Sequence, residues 1–126
     1  MRKKHIYGTF AVSWTFLVAI LSLFSLPDTI SNTEFIPHSD KITHIIFYNV
    51  MTLAWFFYFK TTKTKYKQII AISIAALIYG IIIEIIQAIL PYGRTAEWLD
   101  GIANAIGVTL AILLLYTLPL KSKSLK

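Results

Sequence analysis

Ten polar side chains of this chain fall in two stretches where the surrounding sequence is almost entirely apolar. The segment 84–107 reads EIIQAILPYGRTAEWLDGIANAIG and holds Glu84, Gln87, Arg94, Glu97, Asp100 and Asn104. The segment 40–48, DKITHIIFY, adds Asp40, Lys41, His44 and Tyr48. A charge at the centre of a membrane helix costs roughly 2.5–3.5 kcal/mol on insertion scales. A chain that keeps so many such groups near one level is expected to use them.

Three chemistries fit this inventory. His44 is a candidate general acid or base, poised by a carboxylate such as Glu84 or Asp100, with Lys41 or Arg94 holding a phosphate. Histidine is the residue type suited to moving a proton near neutral pH. A divalent metal ion is the second possibility, because imidazole suits Zn or Mn and carboxylates suit Mg, Ca or Mn. One histidine in the cluster and no cysteine make a poor zinc set, which is usually His- or Cys-rich. The third reading is structural: an ion-pair and hydrogen-bond network that fastens neighbouring helices. In the functional readings His44, Glu84 and Asp100 are the catalytic candidates. Asp40, Lys41, Tyr48, Gln87, Arg94, Glu97 and Asn104 are the ligand-binding ones.

The elements that carry these residues follow from composition and periodicity. The chain has 126 residues, 56% hydrophobic and 14% charged, with a mean hydropathy of +0.66. Soluble domains carry about 25% charged residues, so the class is integral membrane. Four apolar spans are expected at about 7–26, 40–59, 68–90 and 97–118, each near the ~20 residues that cross a hydrocarbon core. The first could be read as a secretory signal, but it is longer than an h-region of about 7–15 residues and lacks an A-x-A-like site. It reads as a retained helix without a chemical signal. Pro27 and Pro37 bound the first connection, and Pro91-Tyr92-Gly93 and Pro119 stop the third and fourth spans. The expected fold is all-α, a single four-transmembrane-helix bundle occupying 1–126.

Helical phase, 100° per residue, groups the polar positions. Asp40, Lys41, His44, Tyr48 and Thr52 share one face of the second span; Ser73, Ala76, Gly80, Glu84 and Gln87 share one of the third; Glu97, Asp100 and Asn104 share one of the fourth. Small residues on the last two spans, continued by Ala103, Gly107 and Ala111, let helices approach closely in lipid. Ten of the twelve bases lie in the N-terminal flank, the 60–67 loop and the C-terminal tail. Lys/Arg clusters in short loops mark the cytoplasmic side, so both termini are expected inside and the polar layer at the outer end. His44 then lies about 6 Å below Asp40, Glu84 roughly 9 Å below Leu90 and Asn104 roughly 10 Å below Glu97. The net charge of +6 is no nucleic-acid signal, since its bases sit between apolar runs and form no basic face. They are expected to attract anionic lipids at about 1 kcal/mol per residue. Trp14, Trp55 and Trp98 read as packing or interface residues, His5 as a solvated flank residue. Tyr48 lies deeper than His44 and its hydroxyl needs a buried partner or water.

Together, DKITHIIFY, EIIQ, GR and EWLDGIANAIG resemble the VanZ-like family of small bacterial membrane proteins. That family shows a D-K-x-x-H motif with a later aromatic, an E-x-x-Q motif, an Arg and a D-x-x-x-N-x-x-G motif. Here these fall on Asp40, Lys41, His44 and Tyr48; on Glu84 and Gln87; on Arg94; and on Asp100, Asn104 and Gly107. The family's namesake is associated with teicoplanin resistance. The resemblance adds a bacterial cytoplasmic membrane and a link to glycopeptide resistance. The polar layer and charge topology themselves lead to the expectation of a multi-pass protein with a polar pocket at the outer leaflet. The protein is expected to bind, or bind and modify, an anionic lipid-linked or lipid-like envelope molecule there. Its expected partners are membrane lipids and an anionic, lipid-linked cell-wall precursor. The alternative is a non-catalytic module that stabilises a partner membrane protein.

Overall fold

A computed structural model describes residues 2–23, 39–59, 64–90 and 98–119, with the backbone alone at Arg2, Ser39 and Asp40. Four helices result: α1 (Arg2–Leu23), α2 (Ser39–Phe59), α3 (Lys65–Ile89) and α4 (Trp98–Thr117). All are long and apolar enough to cross a membrane, and the described residues contain no strand.

The helix ends differ from the apolar runs in a physically simple way. α1 starts at Arg2, five residues before the expected Tyr7, and α3 at Lys65 rather than Gln68. Lysine and arginine are good helix formers, so nothing interrupts the helix where the apolar run meets its basic flank. α3 ends at Ile89 because Leu90 precedes Pro91. Leu90 is extended (φ −78°, ψ 137°), the conformation that the proline ring imposes on its predecessor. α4 stops two residues before Pro119.

Side-chain contacts give the helix directions. Tyr7 stacks on Phe57 and Trp14 meets Phe47 edge to face, so α1 and α2 are antiparallel. Lys41 meets Asp100 and Asn49 meets Gly107, so α2 and α4 run parallel. Thr15 and Ser22 of α1 meet Tyr79 and Gln87 of α3, again parallel. The starts of α2 and α4 therefore share one end of the bundle with the finishes of α1 and α3. α2 and α3 each touch all three other helices, whereas α1 and α4 share no contact among the described residues. The cross-section is a rhombus with α2 and α3 on its short diagonal.

The small-residue stripes are where the helices meet. Ser73, Ala76 and Gly80 of α3, and Ala103, Gly107 and Ala111 of α4, are all buried. Tyr48, Met51, Val18, Ala76 and Val108 form the middle of the core, with Phe56, Ile69 and Leu115 packed toward the basic end. Ile81, Ile85 and Ile89 of α3 and Leu110, Leu113 and Leu114 of α4 point outward. Such continuous apolar surface suits hydrocarbon and would be a liability in water.

Candidate functional site

Lys41 stands in the first turn of α2, and His44 and Tyr48 follow at spacings of three and four. Asp100 stands in the first turn of α4, where the helix dipole favours a carboxylate, and Asn104 follows one turn later. Because α2 and α4 are parallel, these residues pair level by level. Lys41 Nζ donates to Asp100 Oδ1 at 2.7 Å. His44 Nδ1 lies 2.9 Å from Asn104 Oδ1. His44 Nε2 lies 3.8 Å from Asp100 Oδ2, beyond hydrogen-bond range. The Asp100 carboxylate thus stands between an ammonium and an imidazole. If Nδ1–H donates to Asn104, a proton on Nε2 would make the ring a cation facing that carboxylate; the opposite Asn104 amide orientation would place the neutral ring's N–H toward Asp100.

Exposure falls inward from the lysine. His44, Asp100 and Asn104 are buried, while the Lys41 side chain is 16% exposed against 4% for Asp100. Below, the Tyr48 ring stacks on His44 with centroids 6.4 Å apart and planes at 14°. Its hydroxyl is fully buried and has no hydrogen-bond partner among the described residues. Gly80 of α3 makes room for it. A Cβ there would stand 3.3 Å from the Tyr48 hydroxyl and 2.9 Å from Asn104 Nδ2. Glu84 stands half-buried one turn beyond Gly80 on α3.

Gln87 lies at the same end but turns to α1, where its Nε2 donates to the Ser22 carbonyl. Gln87 Oε1 and Ser22 Oγ are buried without a hydrogen-bond partner among the described residues. Arg94 and Glu97 lie outside the described residues, as does the side chain of Asp40. Among the described residues no three His, Cys, Asp or Glu side chains converge as a metal set. His44 and Asp100 form a pair, with Lys41 on Asp100 Oδ1 and His44 facing Oδ2.

α1, which contributes no candidate site residue, is fastened to its neighbours by hydrogen bonds that its apolar composition does not reveal. Thr15 accepts from Trp55 through its hydroxyl and from Tyr79 through its carbonyl. Ser22 accepts from Gln87. The signal was a stripe, Ala11, Thr15, Val18 and Ser22 at spacings of four, three and four. Asn49 was also missed; its Nδ2 donates to the Gly107 carbonyl at 3.2 Å. The tryptophans divide as their surroundings dictate. Trp14 donates to the Phe47 carbonyl and Trp55 to Thr15, while Trp98 is exposed at the polar end.

Comparison with known proteins adds three findings. An uncharacterized protein of Schizosaccharomyces pombe, C11E3.10, is 30% identical over 79 residues, which is 63% of this chain and 48% of that protein. The chain spans about half the length of this relative. It is a yeast protein, so the resemblance does not by itself assign a bacterial membrane. No solved structure gives a significant match. The family model VanZ/LLP1 matches residues 7–119, which take in α2, α3, α4, α1 from Tyr7 on and every candidate site residue, and the chain belongs to the VanZ-like family.

Proposed function

We propose that this protein binds the anionic head group of a lipid or lipid-linked envelope molecule at the outer leaflet, at the end of the bundle where α2 and α4 begin. One observation supports the reading above the others. A lysine, a carboxylate, an imidazole and a carboxamide are linked across two parallel helices in a single layer, and the lysine is the member that reaches the bundle end. An ammonium has three donors and can hold an acceptor in addition to Asp100. Arg94 is the second candidate cation for the head group. His44, Glu84 and Asp100 are the candidates for proton transfer to or from the bound molecule, and family kinship makes teicoplanin susceptibility the natural cellular readout.

The same contacts favour a second reading. Lys41 is paired with Asp100 and His44 with Asn104, both largely out of solvent, as in a network that fastens helices within a module stabilising a partner membrane protein.

His44→Gln separates the two, because glutamine keeps hydrogen bonding but cannot carry a proton near pH 7. The variant is purified in detergent for thermal unfolding and expressed in a bacterium for teicoplanin susceptibility. Wild-type stability with a lost phenotype supports the ligand site; where a proton is transferred, turnover falls about 10²–10⁴-fold. An unchanged phenotype refutes a working role for His44. Joint loss of stability and phenotype favours the fastening network.

A further inference from the structure

We infer that a second lipid site lies at the opposite, basic end, in the groove between α1 and α2, and that its ligand is the head group of an anionic phospholipid. The groove is about 430 Å³ and is lined by His5, Gly8, Thr9, Ser13, Trp55 and Tyr58, a size within the ~300–1,000 Å³ of small-molecule sites. Gly8 builds its wall. A Cβ there would stand 2.8 Å from the Tyr58 ring, so the glycine lets the ring lie against α1. The Lys4 ammonium sits 5.4 Å from the centroid of that ring, which holds a cation at the rim.

Charge fixes the sign of the ligand. α1 contains no acidic residue, and α2 has none after Asp40. Lys3 and Lys4 adjoin His5 at the mouth of the groove. Depth fixes its kind. His5 to Ser13 is about 12 Å along the helix, which reaches from the head-group layer into the hydrocarbon. A hydroxyl at that depth has no water to bond with and needs an acceptor. Thr15, Thr52, Thr109 and Thr117 donate to carbonyls of their own helices. Thr9 and Ser13 make no such bond among the described residues and line the groove instead. A cation at the rim, two hydroxyl donors below it and an apolar continuation match a phosphodiester, its ester oxygens and its acyl chains in that order.

The full chain is reconstituted in vesicles of equal phosphatidylglycerol and phosphatidylcholine, extracted in mild detergent, and its retained lipid counted by native mass spectrometry. Phosphatidylglycerol is expected to be retained about tenfold over phosphatidylcholine. Lys4→Gln is expected to lower that preference about fivefold, the effect of one basic residue near an anionic surface. Thr9→Val with Ser13→Ala removes the donors without adding charge and is expected to lower retention similarly. Val12 also lines the groove; Val12→Trp, which fills it and removes no donor, does the same, and circular dichroism confirms that each variant is helical. Lys67→Gln, an exposed base of α3 outside the groove, is expected to leave retention unchanged. Equal retention of the two lipids, groove variants without effect, or an equal loss from Lys67→Gln would each overturn the inference, the last by reducing it to diffuse charge attraction. All these substitutions lie at the far end from Lys41 and His44, so the result stands apart from the outer-leaflet reading.

Discussion

Gly107→Ala is expected to destabilise the bundle by about 2 kcal/mol, although alanine is the better helix former. The added methyl would overlap the Ile45 carbonyl oxygen and stand 3.1 Å from the Ile45 carbonyl carbon and the Asn49 amide nitrogen. Both partners are helix backbone, so no side-chain rotation relieves the overlap. α2 and α4 must part by roughly 1 Å to regain ordinary van der Waals separation. Overpacking of this kind costs about 1–3 kcal/mol. The Asn49–Gly107 bond, already 3.2 Å, is lost, and the His44–Asn104 bond one turn above is stretched; interhelical bonds average about 0.6 kcal/mol each. Helix propensity returns about 1 kcal/mol, leaving the stated net. Gly101→Ala is the matched control, since nothing lies within 4 Å of its Cβ and the propensity gain of about 1 kcal/mol acts alone. Both variants are unfolded thermally in the same detergent and followed by circular dichroism. A Gly107→Ala protein as stable as the wild type, or a Gly101→Ala protein that loses as much, would refute the reasoning.

Three further expectations rest on other contacts. Gly80→Ala meets only side-chain atoms of Asn104 and Tyr48, so it should cost less stability than Gly107→Ala yet still displace Asn104 from His44, visible as a shift of the His44 ring resonances by NMR. Lys41→Met leaves the Asp100 carboxylate buried without its ammonium and should cost about 3–5 kcal/mol, whereas Lys41→Met with Asp100→Leu should lie near wild type; strict additivity in that double-mutant cycle would deny the pairing. The expected orientation, both termini inside, requires that a cysteine replacing exposed Trp98 react with membrane-impermeant thiol reagents in intact cells and that one replacing Thr64 resist them; the reverse pattern would turn the polar layer toward the cytoplasm.

The parts of the fold that sequence made legible are those where periodicity reports a face. Ser73, Ala76 and Gly80, and Ala103, Gly107 and Ala111, could be read as seams because lipid penalises close approach by anything bulkier. His44 and Asn104 could be placed at one level because helical rise converts position into depth. Direct pairing was less legible: helical phase put Gln87 with the other polar groups but gave no azimuth for α1, whose Ser22 carbonyl takes the Gln87 amide. Thr15 was overlooked because a lone hydroxyl in an apolar run carries little hydropathy signal, yet it joins α1 to both α2 and α3. Apolarity sets the expected boundaries at Tyr7 and Gln68, whereas helicity continues through the basic residues to Arg2 and Lys65.

The rhombic cross-section bears on permeation. Four helices in a square would enclose an axial space, but here α2 and α3 meet across the middle, with Tyr48 beside Tyr79 and Met51 packed with Ala76. A solute entering at Lys41 meets the Tyr48 ring about two turns down and would have to pry the short diagonal apart to go on. Among the described residues the polar layer therefore ends at the Tyr48 ring. The described helices leave no axial space below it, so reconstituted vesicles should hold a proton or potassium gradient as tightly as protein-free ones.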